Sequence, residues 1–254
     1  MSVQSVAQRV AFGRLSDRDR VEAVARQIRQ AIVAGLLPVG ARLPSEAALA
    51  ASLGVSNVTL REALEVLRRE GLVETRRGRS GGTFVRPEAT SLVEASSHDD
   101  LAAQTLDDLR DLADYHAAIS GAAAALAARR LTGSSIESLR ELAGAVAAAG
   151  DRRARARADA RFHVEVAALS RSALLTRAEL ALQGELTPLL WLARTAAAAA
   201  RAAADHLEIV AALAARDADR ARALAEAHVQ QAASEVLRLR MGLPRWMDGS
   251  DGSS

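Results

Sequence analysis

A change of hydrophobic period constrains this chain more than any other feature. Apolar residues recur at helical spacing in Val21, Val24, Ala25, Ile28 and Ile32, and again in Leu60, Ala63, Leu64 and Leu67. The pattern then breaks. Leu72 to Thr75 and Thr83 to Val85 are short β-type segments around Arg76-Arg77-Gly78-Arg79-Ser80-Gly81-Gly82, a tip whose glycines suit a tight turn. From Leu101 to Gly242 only helical periodicity remains. The order predicts a mostly α protein: an N-terminal winged helix-turn-helix with a small β-hairpin wing, then an all-α antiparallel helical bundle.

Local punctuation sets the boundaries. Gly35 stops the helix running from Val21 to Ala34, and Pro38 and Gly40 mark a turn. Ser45 is placed to N-cap a short helix from Glu46 to Ser52, and Leu53-Gly54-Val55 forms a turn. Ser56 caps a helix that runs to about Glu70, where Gly71 ends it. The expected DNA-binding domain is 17–87, with a polar linker over 88–100 and a helical effector and dimerisation domain over 101–242. Residues 1–16 and 248–254 are expected as disordered tails. Within the body, Gly133, Gly150, Ser172, Gly184 and the Arg216-Asp217 step are the candidate breaks.

Charge is uneven. Residues 1–90 carry 14 Arg against 9 acidic side chains, a surplus of +5, whereas residues 91–254 carry 19 Arg against 22, a deficit of −3. A basic head on an acidic body points to a polyanionic partner for the head. The chain has no cysteine, which excludes disulfides and thiolate metal sites. No stretch is apolar and long enough to span a membrane. With no export signal at its start, the expected location is cytoplasmic.

In a winged helix-turn-helix the second helix of the pair enters the major groove, and the first braces it. The N-terminus of that second helix must therefore present polar side chains, and Ser56, Asn57, Thr59 and Arg61 stand there. Ser and Thr suit phosphate oxygens, Asn suits adenine and Arg suits guanine. Arg76, Arg77 and Arg79 on the wing suit phosphates or a minor groove, and Ser45 and Gly81 complete the candidate DNA-binding set.

The stretch Leu43-Pro-Ser-Glu, Leu53-Gly-Val-Ser, Leu60-Arg-Glu-Ala-Leu, Glu70-Gly-Leu-Val and Gly82-Thr-Phe-Val resembles the DNA-binding domain of GntR-family regulators over residues 17–86. That resemblance implies double-stranded DNA, a pseudo-palindromic operator and a homodimer. Two positions depart from it. Ala47 and Asn57 stand where family members often carry DNA-contacting arginines, so Arg61 is the reader carried over.

The body contains a second constellation. Asp159 and His163 lie four residues apart, on one helix face and about 6 Å from each other. His206 and His228 are 22 apart with Asp217 midway, so a turn there puts each roughly 16 Å along its own helix, at equal height. One carboxylate and three imidazoles facing one interior make a candidate divalent-metal site with open positions. Zinc suits the donors first, with nickel and manganese as alternatives.

Asp159-x-x-Phe162-His163, Leu169-Ser170, His206 and the step to His228 resemble the all-helical ligand-binding (FCD-like) domain of the FadR-type branch, over about 100–240. The resemblance implies a metal that holds a small carboxylate effector, and a repressor released by it. Where many relatives carry Arg and, four residues on, Glu, this chain has His116 and Ser120. His116 is thus either an effector-pocket residue or a packing residue, and Arg194 is the candidate replacement cation. Ser172 stands at the family's Asn and suits a helix cap, while Arg152, Arg153, Arg155 and Arg157 suit a solvated face. A non-enzymatic regulator is the expected function. The alternatives are a metal-dependent enzyme with a DNA-binding head, which lacks an HExxH-type motif here, and an architectural DNA-binding dimer.

Overall fold

The computed structural model describes residues 17–78, 81–89, 103–132, 135–193 and 195–242, with the backbone alone for 17–19 and 191–193. The expected tails, most of the linker, Arg79 and Arg194 lie outside the described residues. Three helices open the head: α1 (Asp17–Val33), α2 (Glu46–Leu53) and α3 (Asn57–Arg69). Strands β1 (Val73–Arg76) and β2 (Gly82–Val85) follow. The body is α4 (Leu106–Arg130), α5 (Ser135–Ala148), α6 (Arg152–Leu169), α7 (Ala173–Ala193), α8 (Ala196–Ala214) and α9 (Ala218–Arg240).

The head folds around the periodic residues. Leu60, Ala63, Leu64 and Leu67 form one stripe of α3, and they bury against Val24, Ala25, Ile28 and Ile32 of α1. Ser45 and Ser56 cap α2 and α3 by accepting from the Ala48 and Thr59 amides, and Gly54 turns between the helices in the left-handed conformation. The strands pair antiparallel from Val73↔Val85 to Arg76↔Gly82. Ala89, in the segment expected as linker, is buried in this core.

In the body, small alanines let helices approach closely, and Phe162, Leu139, Ile209 and Leu213 fill the centre. The expected turn at Arg216-Asp217 separates α8 from α9, with Asp217 capping the latter through the Arg220 amide. Gly150 likewise lies between α5 and α6. Gly184 does not break a helix, contrary to its reading as a stop. It lies inside α7, where a Cβ would meet Gln30 of α1, including the backbone Cα at 3.1 Å. The break falls further on, where Thr195 caps α8. Three of the four arginines also depart from the expected solvated face: Arg152 is exposed, but Arg153, Arg155 and Arg157 are half-buried, Arg157 against Gly35, which adopts φ +74. Burial holds the Arg157 pKa below the ordinary arginine value.

Candidate DNA-reading surface and candidate metal centre

On the head, Ser56 Oγ lies 2.9 Å from Thr59 Oγ1, and both belong to the exposed first turn of α3 with Asn57. Arg61 is 68% exposed and its Nε donates to Glu46 Oε2 at 2.7 Å. The wing shows Arg76 stacked 4.5 Å over Phe84 and paired with Glu74. Arg77 is exposed beside it. Gly81 turns the tip: a Cβ there would meet the Arg76 and Gly78 carbonyls at 2.5 and 2.8 Å. Ser45 faces inward as a cap, although its residue is exposed. Sequence reasoning did not single out Val58, which is 64% exposed beside Asn57, where an apolar group suits a thymine methyl. It also passed over Arg42, which bridges to Phe84 at the wing.

In the body, Asp159 and His163 come from α6, His206 from α8 and His228 from α9. All four are buried, and their donor atoms lie within 4.8 Å of one another. His206 Nε2 stands 3.1 Å from His228 Nε2 and 3.4 Å from Asp159 Oδ1, and His228 Nε2 stands 3.9 Å from Asp159 Oδ1. Bonds of 2.0–2.2 Å to one centre set neighbouring donors about 3.0–3.5 Å apart, so this donor set fits a divalent cation. Neighbours aim the rings. Phe162 stacks on His206 at 3.9 Å. His228 Nδ1 donates to Asp205 Oδ2 at 3.1 Å, because a carboxylate can only accept, and that leaves Nε2 turned toward the cluster. Burial lowers the His163 pKa to about 4 against the opposing charge of Asp159, so the ring stays neutral and able to ligate.

A second polar group adjoins the first. His116 Nε2 lies 3.0 Å from Glu179 Oε1, Ser120 Oγ donates to Glu179 Oε2 at 2.7 Å, and Gln183 Nε2 donates to Glu179 Oε1 at 2.9 Å. Burial pushes the Glu179 pKa up. The hydrogen bond to His116, the positive charges that His116 and His163 carry in the acid range where Glu179 titrates, and the Gln183 bond outweigh it and hold the pKa at about 2. A narrow cavity touches both groups, lined by His116, Asp159, His163 and Gln183 with Leu186 and Val236 among its apolar walls. Its present free space, about 10 Å³, holds about one water.

Comparison with known proteins matches the head to the bacterial regulatory proteins of the gntR family over residues 20–85, and the body to the FCD domain over residues 111–231. The putative HTH-type transcriptional regulator RmpR of Mycobacterium gastri is 41% identical over 238 residues, covering 91% of this chain and 85% of that one. The chain belongs to the GntR family, with an FCD domain as its body. The putative L-lactate dehydrogenase operon regulatory protein of Escherichia coli K12 is 35% identical over 165 residues, 64% of this chain and 61% of its own. Among solved structures, McbR/YncC of E. coli covers 89% of this GntR/FCD chain and 99% of its own, at 21% identity and TM-score 0.54, a likeness of fold. This GntR/FCD protein is thus a DNA-binding transcription regulator, and none of its described helices is long and apolar enough to cross a membrane.

Proposed function

We propose that this regulator is a non-enzymatic, cytoplasmic repressor that binds a pseudo-palindromic operator as a homodimer and releases it when a small carboxylate effector binds the body. The effector completes the coordination of a divalent cation, zinc in the first instance, held by Asp159, His163, His206 and His228. One observation carries the reading: three helices bring one carboxylate and three imidazoles to a buried meeting point at ligand-edge distances.

A bound cation supplies a Lewis-acidic anchor for a carboxylate. The chain's own residues do the rest. Asp205 fixes the His228 tautomer, Phe162 holds the His206 ring, and the buried neutral His163 keeps a donor nitrogen available. In the head, Ser56, Asn57, Thr59 and Arg61 reach the groove while Arg76, Arg77 and Arg79 hold the backbone. The test is elemental analysis of purified protein beside operator binding with a panel of acids. About one divalent ion per chain, lost in His206→Ala, and acid-dependent operator release without acid turnover are expected. Full occupancy in the variant overturns the ligand set.

A further inference from the structure

A residue lining the cavity beside the candidate cation site, Gln183, has a buried acceptor without a hydrogen-bond partner among the described residues. Gln183 is 1% exposed and lines that cavity with Asp159, His163 and His116. Its orientation is fixed: Glu179 Oε1 can only accept, so the amide nitrogen must face it, at 2.9 Å. The amide oxygen therefore points elsewhere, and among the described residues Gln183 Oε1 accepts no hydrogen bond. An unmade hydrogen bond on a buried amide is costly, and a bound ligand that donates one removes the cost.

The charge around Gln183 narrows the ligand further. The adjacent Glu179 already accepts from His116, Ser120 and Gln183. No arginine is among the described residues lining the cavity. A second carboxylate or a phosphate at this end meets the Glu179 charge with no arginine in the lining to pair with it. A hydroxyl or amino group meets an open acceptor. The walls contributed by Leu186, Leu190, Val229 and Val236 suit a short alkyl chain.

We propose that Gln183 is the specificity-determining acceptor of the effector cavity, selecting a short monocarboxylate that carries a hydroxyl or amino group over dicarboxylates and phosphorylated acids. The proposal rests on the effector reading above. The cavity as it stands admits about one water, so the ligand enters by displacing the apolar walls; one end then reaches the candidate cation site beside Asp159 and His163, and the other donates to Gln183 Oε1. Glu179, hydrogen-bonded by His116 and Ser120, is the positioning residue that keeps the amide turned this way.

Calorimetric titration of the metal-loaded full chain tests it, with butyrate, its 2-, 3- and 4-hydroxy derivatives, 4-aminobutyrate and succinate as probes. At least one donor-bearing acid is expected to bind about 10-fold tighter than butyrate, the worth of one hydrogen bond to a buried group. Succinate is expected to bind no better than butyrate. In Gln183→Leu the preference for the donor-bearing acid over butyrate falls to within about twofold, while metal content holds. Equal binding of all the acids, tightest binding of succinate, or a preference that survives the substitution each overturns the proposal. The probe series on the parent protein decides it even if the variant does not fold. Failure of every acid to bind overturns the effector reading and this inference together; binding without donor preference overturns this inference alone.

Discussion

A buried carboxylate stays ionised only when its neighbours repay the water it has lost, and Glu179 shows how. Burial alone would raise its pKa; His116, His163 and Gln183 bring it to about 2. The folded value lies below the ordinary 4.5, so the unfolded chain takes up the proton first as pH falls. The stabilisation is complete above pH 4.5 and is lost as pH drops toward 2, with an amplitude on the order of 3 kcal/mol. Glu179→Gln is expected to be less stable than the parent at pH 6, with the gap narrowing at pH 3. Denaturant melts at the two pH values check it, and a gap of constant size would refute the ion's role. On the head, Arg61 is held by an exposed pair worth less than about 1 kcal/mol, so the pair is little obstacle to the proposed DNA contact. Arg61→Ala should weaken operator binding by about 1–3 kcal/mol with melting temperature unchanged, measured by gel shift at fixed salt. That Asp159, His163, His206 and His228 meet was legible because their spacing obeys helix geometry about a turn. Glu179, Gln183 and Asp205 were not. Glu179 and Gln183 look in sequence like any i,i+4 pair on a helix surface, and only packing against His116, 63 residues away, buries them.

At the scale of elements, the period change read the head correctly, because its apolar stripes are long-sided and its caps are explicit. The body was harder to divide. Alanine occupies buried and exposed positions alike, so periodicity runs on through real breaks, and the α7–α8 boundary at Thr195 passed unseen. Gly184 was misread as that boundary because a helical glycine and a helix stop look the same in sequence. Its role is approach: the Gln30 side chain of α1 lies directly on the bare backbone of α7, with Gln30 Cβ 2.7 Å and Cα 3.1 Å from the position of a Cβ. Gly184→Ala adds about 1 kcal/mol of helix propensity but forces the two helices apart, at about 1–3 kcal/mol. Net destabilisation is expected, together with faster proteolysis between head and body. A variant as stable and as resistant as the parent would show that the contact has slack.

Across the whole molecule, α6 faces two ways. Asp159 and His163 turn toward the candidate cation site, while Arg157 packs on Gly35 at the end of the head's first helix. A cation that binds only the folded body stabilises it by about 2.7 kcal/mol at 100 times its Kd. Chelation should therefore lower the melting temperature by about 5–10 °C, given roughly 2–4 °C per kcal/mol for a chain of this size. Coupling to DNA requires more: the effector must favour one arrangement of head and body over another, by a typical 1–3 kcal/mol. Arg157 is the side chain through which α6 touches the head's turn, and its guanidinium is already half out of water, so a shift of α6 cannot leave that contact untouched. Arg157→Ala should keep metal content and acid affinity while shrinking the effector's effect on operator affinity from a typical 5–150-fold toward unity. Paired gel shifts with and without effector measure this. An undiminished response would place the coupling elsewhere, in the α1–α7 contact at Gly184 before any other, since that is the second place where the body meets the head's first helix.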